Sequence, residues 1–183
     1  MLIQILFPTL QLASLNKVSD MKNNAGFTLI EVLVAVVVLA VGLLGLAALQ
    51  TTTLSNNQSA YFRSMATQFA YDMSDRMRSN RAGLGNYNKG VAANNNCTAN
   101  NCTAAQMAAD DLFQWNSALT NQRNGLPDGT GIVCIDSTPE TPPNATPAAD
   151  GCDGLGTDYA IKVWWDDNRS GAANQLFIMS FRP

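Results

Sequence analysis

The chain has 183 residues, of which 46% are hydrophobic and only 14% are charged. Soluble globular domains carry about 25% charged residues, so part of the apolar surface must face something other than a private core. Histidine is absent, which excludes Ser-His-Asp and Cys-His catalysis and every metal site that needs imidazole. A net charge of -3 argues against a protein that coats nucleic acid, because such domains are usually strongly basic.

The N-terminal segment is apolar but short, and it shows no clear period. A second methionine, Met21, opens a compact polar segment. We expect translation to begin at Met21, so that the first twenty residues come from a gene model that starts too far upstream. A genuine long leader is the alternative. Lys17 and Lys22 outnumber Asp20 on this flank. By the positive-inside rule the flank stays cytoplasmic, and the C-terminal part then lies outside the inner membrane.

An uncharged apolar run follows from Val32 to Leu49. Together with residues 27–31 it makes a helix of about 35 Å at 1.5 Å per residue, enough to cross a hydrocarbon core of about 30 Å. The run is longer than the apolar region of a cleaved secretory signal, which has roughly 7 to 15 residues. It predicts a transmembrane helix that stays attached to the chain.

One acid, Glu31, stands at the head of this run and is the only charged residue between Lys22 and Arg63. A carboxylate costs roughly 2.5 to 3.5 kcal/mol at a bilayer centre and less near an end. Glu31 is therefore a functional candidate, and a snorkelling interfacial charge is the alternative.

The residues that lead to Glu31 read Gly26-Phe27-Thr28-Leu29-Ile30-Glu31 and continue directly into the apolar run. This stretch resembles the processing site of the type IV pilin superfamily. The resemblance implies that a prepilin peptidase cuts between Gly26 and Phe27 and that Phe27 is then N-methylated. The new Phe27 ammonium attracts the Glu31 carboxylate of a neighbouring subunit in a low-dielectric helical bundle. Phe27 and Glu31 are thus the predicted subunit-assembly residues.

The helix is expected to continue beyond the membrane, because no proline occurs between Pro8 and Pro127. It should run from Phe27 to about Asn80, and its second half predicts an amphipathic stripe that packs on a globular head. The stripe residues are Leu54, Tyr61, Met65, Phe69, Met73 and Met77. The arginines near its end suit the negative pole of the helix dipole, with a nucleic-acid patch as the alternative; they are Arg76, Arg78 and Arg81.

The remaining chain predicts a small head. Residues 86–101 predict a loop, and Thr103 to Leu119 predict a short amphipathic helix. Three strands are expected, at Gly131 to Asp136, Asp158 to Asp166 and Gln175 to Arg182. Within the second, Trp164 and Trp165 should face opposite ways, one into the core and the other toward a partner or under a loop.

The predicted fold class is α+β, with a long N-terminal pilin helix packed on a small antiparallel sheet. We expect residues 1–26 to form the leader and residues 27–81 the long helix, whose half at 27–49 is transmembrane. Residues 82–183 form the head in this division.

Four cysteines in a domain outside the cytoplasm predict two disulfides. Three connectivities exist, and local pairing is favoured because it closes plausible loops: Cys97 with Cys102, and Cys134 with Cys152. Without histidine or CxxC spacing, zinc is disfavoured. No metal or cofactor is expected, although turn acids could gather around calcium as an alternative; they are Asp150, Asp153, Asp158, Asp166 and Asp167.

Within the superfamily the chain resembles the PilV-type minor pilins, also called type IV pilus modification proteins. The resemblance is carried by residues 26–49, Ser64 to Arg81, Asp110 to Trp115 and Leu126-Pro127. It implies a non-catalytic subunit of a tip or priming complex that starts pilus polymerisation. Twitching motility, cell adhesion and DNA uptake all stay open as the role of the pilus.

The implied partners are other minor pilins, the major pilin, the prepilin peptidase and methyltransferase, the inner-membrane assembly platform and a tip adhesin. Membrane lipid holds the subunit before assembly, and nucleic acid is not an expected partner. Two alternatives stand beside this interpretation: a minor pseudopilin of type II secretion, and a membrane-anchored binding or adhesin module.

Overall fold

A computed structural model of the chain describes residues 26–121, 123–140 and 145–183. The proposed start at Met21 lies outside the described residues. The elements in chain order are α1 (Leu29–Ser79), a 3₁₀ helix (Arg81–Tyr87), α2 (Ala104–Leu119), β1 (Thr130–Ile135), β2 (Tyr159–Trp165) and β3 (Gln175–Phe181). The predicted α+β class is confirmed. The structure divides into two compact units, the first ending at Ala47 and the second running from Ala48 to Pro183.

The first unit consists, in its described part, of the beginning of α1. All of its residues from Gly26 to Ala47 are exposed. Among the described residues, α1 is the one helix that is long and apolar enough to cross a membrane, judged by length and composition. Its most apolar stretch has a mean hydropathy of 3.0, and none of that stretch is buried. A core helix of a soluble domain would be buried, so this apolar surface needs an outside environment.

In the second unit, α1 buries one stripe in the core of the head. The buried residues of α1 are Phe62, Ala66, Ala70, Met73, Ser74 and Met77. The predicted stripe was wrong at its start, because Leu54 is 69% exposed and Tyr61 is 60% exposed. Phe62 takes the core position instead, one residue or about 100° further around the helix. Small side chains at Ala66 and Ala70 continue that ridge and allow close packing.

The sheet has the order β1-β2-β3, and both neighbouring pairs are antiparallel. All seven residues of the central strand β2 are buried. One face of the sheet shares a core with α1 and α2, and Trp115 of α2 lies in it. A side chain at Gly131 would collide with the Trp115 ring, which explains why glycine stands in β1 at that point.

The opposite face of the sheet is covered by the long loop between β1 and β2. The Trp164 indole N–H donates to the Ala145 carbonyl at 2.8 Å. Lys162 Nζ donates to Asp136 Oδ2 at 2.7 Å and to the Asp150 carbonyl at 3.0 Å, with Lys162 and Asp136 both fully buried. Trp165 lies in the main core. The two tryptophans therefore face opposite ways as predicted, and Trp164 is the one that lies under a loop.

Two disulfides tie down the loops of the head. Cys97 is bonded to Cys102 just before α2, and Cys134 of β1 is bonded to Cys152 in the long loop. These are the local pairs favoured by the sequence. The second bond fastens the segment in which the Asp150 carbonyl accepts a hydrogen bond from the buried Lys162. A disulfide and a hydrogen bond from a charged donor therefore hold the same part of the loop.

Candidate assembly site

The predicted processing site lies at the start of α1. Gly26, Phe27 and Thr28 are not helical. The Thr28 carbonyl accepts hydrogen bonds from the Glu31 N–H at 3.1 Å and the Val32 N–H at 3.3 Å, and its hydroxyl lies 3.4 Å from the Glu31 nitrogen. Thr28 thus caps the helix, a role that the sequence analysis missed although Thr-x-x-Glu is a known capping pattern. The cap places Phe27 immediately before the helix begins.

Gly26 has no structural reason to be glycine within the described chain. A Cβ at this position would meet no atom of the described residues within 4 Å. Packing within the described part of the chain therefore does not require glycine here, whereas a protease that needs close access to the backbone would.

Phe27 and Glu31 lie on the same side of the chain. Together with Ala35 and Leu39 they line a shallow groove along the beginning of α1. Phe27 is 82% exposed, and Glu31 is exposed in the first turn. Among the described residues, no Lys or Arg side chain pairs with Glu31. Its carboxylate therefore lacks a side-chain counter-charge in the described part of the chain, while remaining accessible to a neighbouring molecule.

The far end of α1 is fastened to α2 by a polar network whose contacts to α2 the sequence did not predict. Arg76 donates from Nε to Asp72 at 3.0 Å, and from Nη1 to Asp111 at 3.3 Å and Gln114 at 3.2 Å. The Trp115 indole donates to the Phe69 carbonyl at 2.9 Å. The stretches 64–81 and 110–115, identified separately in the sequence, are thus in direct contact.

Tyr87 joins the 3₁₀ helix to the same network. Its hydroxyl donates to Asp111 Oδ2 at 2.5 Å and accepts from Asn80 Nδ2 at 3.2 Å. Burial raises the pKa of Tyr87, and the hydrogen bond to the Asp111 carboxylate raises it further. The network therefore holds α1, the 3₁₀ helix and α2 together through one neutral phenol and one shared carboxylate.

Arg78 is also engaged within the head. It pairs with Asp75 at 3.0 Å, and its guanidinium carbon lies 4.8 Å from the centre of the Phe181 ring. A cation over an aromatic face is a favourable contact. Arg76 and Arg78 thus make specific contacts inside the chain, which gives the nucleic-acid alternative no support from these two residues.

The acids considered for calcium are held by other protein groups. Asp153 accepts from the Ser137 backbone N–H at 3.0 Å and from its hydroxyl at 2.5 Å, and the hydroxyl bond lowers the pKa of Asp153. Arg182 donates twice to Asp158, at 2.5 and 2.7 Å, and lowers the pKa of that carboxyl. Both carboxylates are used as loop and strand anchors.

The other three candidate acids are likewise bonded within the head. Asp150 accepts from Lys89 at 3.1 Å, Asp166 accepts from the Gly171 N–H at 2.6 Å, and Asp167 accepts from the Ser59 hydroxyl. Among the described residues, one group of potential metal ligands lies close together: Cys134, Asp136 and Cys152. Its sulfurs form a disulfide and its carboxylate binds Lys162, so this group does not offer a free set of donors.

Two family models match adjoining parts of the chain. The prokaryotic N-terminal methylation motif matches residues 21–47, and the model described as type IV pilin Tt1218 matches residues 48–113. No curated protein and no solved structure matches the chain.

A methylation-type N-terminus on an exposed apolar helix, followed by an α+β head, fits a membrane-anchored pilin subunit. Type IV pilins are structural subunits and not enzymes. The two matches support a place for the chain in the type IV pilin superfamily.

Proposed function

We propose that this chain is a PilV-type minor pilin that takes part in initiating type IV pilus assembly, in a tip or priming complex. Residues 1–26 would be the leader, residues 27–49 the inner-membrane anchor and residues 82–183 the periplasmic head. One observation carries the proposal: Gly26, Phe27 and Glu31 adjoin an apolar helical surface that is exposed along its whole described length. Such a surface suits lipid before assembly and other pilin helices afterwards.

The assembly step follows from the charges at this site. Cleavage after Gly26 creates an ammonium on Phe27, and Glu31 supplies a carboxylate that no Lys or Arg of the described chain neutralises. Two unit charges 4 Å apart attract by about 4 kcal/mol at an effective dielectric constant of 20. The pairing of Glu31 with Phe27 of a neighbour therefore favours transfer from lipid into the fibre, and the subunit itself performs no chemistry.

The choice of a minor pilin of the PilV type is supported by the contact between two stretches of the head. Ser64 to Arg81 and Asp110 to Trp115 carry that resemblance, and they meet through Arg76 and through the indole of Trp115. The residues that single out the subfamily thus form one interlocked structural unit. The proposed partners are other minor pilins, the major pilin, the prepilin peptidase and methyltransferase, the assembly platform and a tip adhesin.

The N-terminus of the mature protein tests the processing step. Mass spectrometry of the chain purified from membranes should find an N-methylated Phe27 as the first residue. A Gly26→Val variant should lose cleavage by more than about 100-fold, because a branched side chain blocks access to the backbone. Gly42→Val is the matched control, since Gly42 also has open space around it and lies far from the cut. An uncleaved Gly26-Phe27 bond in the unaltered chain would instead favour a membrane-anchored binding module.

Deletion of the gene tests which machine the subunit serves. The proposal expects loss of surface pili, with restoration by the unaltered gene and not by the Gly26→Val form. Loss of exoprotein release with normal pili would identify a minor pseudopilin of type II secretion and overturn the pilus assignment.

A further inference from the structure

The hydrogen-bond pattern of the sheet shows which backbone groups each edge strand turns outward. In an antiparallel ladder a residue directs its N–H and C=O to the same side, and successive residues alternate. The Asp136 N–H bonds to the Asp158 carbonyl at 3.1 Å, and this pair continues the β1/β2 register. The even-numbered residues of β2 therefore bond to β1, and the odd-numbered residues bond to β3.

The same rule places the outward groups of β1 at Gly131, Val133 and Ile135, and three of these groups are bonded within the head. The Val133 carbonyl accepts from the Lys89 N–H at 2.7 Å. The Ile135 N–H donates to Asn88 Oδ1 at 2.9 Å, and the Ile135 carbonyl accepts from Gly154 at 3.1 Å. The segment at 88–89 thus covers the β1 edge at Val133 and Ile135 and obstructs another strand there.

The β3 edge differs. By the register with β2, its outward backbone groups belong to Leu176, Ile178 and Ser180. Among the residues that the structure describes, none bonds to these outward groups. No charged residue occurs from Ala172 to Phe181. Open edges are usually blunted by Lys, Pro or a bulge because they template pairing with another chain. An unblunted edge of seven residues therefore suggests a partner.

Antiparallel pairing with β3 of a second copy does not fit that edge. Antiparallel pairing of β3 with β3 requires a two-fold axis perpendicular to the sheet. Residues 62–77 of α1 pack over one face of the sheet, so this axis would reverse their direction in the second copy. Subunits anchored in one membrane or fibre by the same N-terminal helix run the same way; this step rests on the proposed function. Pairing of β3 with β1 of another copy is obstructed at Val133 and Ile135, where residues 88–89 bond to β1.

We propose that the β3 edge binds an extended, uncharged segment of a different polypeptide, which adds a fourth strand to the sheet. The outward groups of Leu176, Ile178 and Ser180 supply the hydrogen bonds, and this mode of recognition is β-strand addition. The absence of charge along β3 selects a segment without Asp, Glu, Lys or Arg, since an unpaired charge placed against the apolar edge would lose solvation.

Site-specific photo-crosslinking in cells tests the occupant. A benzoylphenylalanine placed at Asn174, which is exposed just before β3, is the probe in the full chain, and the same group at exposed Val91 is the control position. The expected product joins Asn174 to a different polypeptide, and tandem mass spectrometry maps the junction to a segment of about five or more uncharged residues. A crosslink to a second copy, a crosslink to a charged segment or no crosslink overturns the proposal.

Two substitutions at Ser180 test the backbone contact itself. Ser180→Pro removes an outward N–H without removing a bond to β2, and edge strands tolerate proline. It should lower the crosslink yield at least about tenfold, whereas Ser180→Ala should stay within about twofold. Tryptophan fluorescence reports whether the Ser180→Pro variant is folded. If it is not, the Ser180→Lys variant is tested in its place, because a charge on an edge strand also opposes strand addition. An unchanged yield in a folded variant contradicts the proposal.

The same samples separate this inference from the proposed function. If the chain is cleaved to start at Phe27 and is present in pili but gives no crosslink, only the proposal of a β3 docking site is refuted. If the chain remains uncleaved, the proposed function is refuted. The exclusion of antiparallel β3–β3 pairing then loses its basis, because it assumes subunits that are anchored in the same direction.

Discussion

Residues 29–49 and residues 62–77 belong to one helix and are both rich in apolar side chains, yet they use them differently. The first stretch is exposed throughout, whereas the second buries one stripe in the core of the head. The first is apolar on all sides, a pattern that suits lipid or surrounding helices, and the second is apolar on one side only, the pattern of a helix packed on a domain. The comparison separates residues expected to control assembly from residues expected to control the stability of the head.

Glu31 gives the largest expected effect on the assembly side of this comparison. A Glu31→Ala variant should be cleaved normally, but its incorporation into pili or minor-pilin complexes should fall at least about tenfold, since the attraction to a neighbouring Phe27 ammonium is lost. Quantitative immunoblotting of sheared pili against whole cells measures this. The unfolding midpoint of the head should not change. Glu31→Gln is the matched control for size and should fail in the same way.

Normal incorporation of both Glu31 variants would show that the acid is a tolerated interfacial charge. Reduced cleavage would instead place its role in peptidase recognition, before any pairing between subunits.

Met73 gives the corresponding effect on the stability side. Its side chain is fully buried, so Met73→Ala should lower the free energy of unfolding by about 2 to 5 kcal/mol through lost burial and a residual cavity. Urea unfolding of the full chain in detergent, followed by the fluorescence of the buried tryptophans, measures the change. Tyr61→Ala is the matched control on the same helix, and it should cost less than about 1 kcal/mol because Tyr61 is exposed.

Equal costs for the Met73 and Tyr61 variants would contradict the division of α1 described above. Such a result would mean that the core begins earlier along the helix than the buried stripe indicates.

The sequence sufficed for the elements whose signals are local. The absence of proline predicted α1, the three strands were predicted to within a residue of their observed bounds, and a long uncharged run located the exposed half of the helix. The N-terminal methylation motif was also recognisable, because Gly26 to Glu31 are continuous in the sequence and the matching family model covers them. The chosen cysteine pairs are the bonds present in the structure, since both close short loops.

The features that escaped prediction depend on contacts between distant residues. Arg76 fits a simple helix-end role, and nothing local to it indicates Asp111 on α2. Lys162 interrupts an apolar strand and would be expected on a solvated face, but the loop after β1 covers it and supplies Asp136. The exchange of Tyr61 for Phe62 in the core arises because both residues are aromatic and adjacent, so only the docked head decides between them.

The smallest expected effect is a pH dependence that belongs to the second unit alone, because residues 26–47 contain no tyrosine. Burial, followed by the hydrogen bond to Asp111, raises the pKa of Tyr87 above its ordinary value of about 10. The unfolded chain then loses its phenolic proton at lower pH than the folded chain. The stabilisation from Tyr87 is therefore fully present below about pH 10 and declines as pH rises through the higher folded pKa.

Replacement of Tyr87 isolates this contribution from other groups that titrate in alkali. Tyr159 also has a pKa raised by burial, so the unaltered chain alone cannot assign the effect. Tyr87→Phe should lower the free energy of unfolding by about 1.5 to 3 kcal/mol at pH 7, since it removes a hydrogen bond to a charged acceptor. It should also flatten the decline above pH 10. Parallel pH profiles for the two chains would show that the Tyr87–Asp111 hydrogen bond is not the source of the alkaline decline, leaving Arg76 and Trp115 as the side-chain connections between α1 and α2.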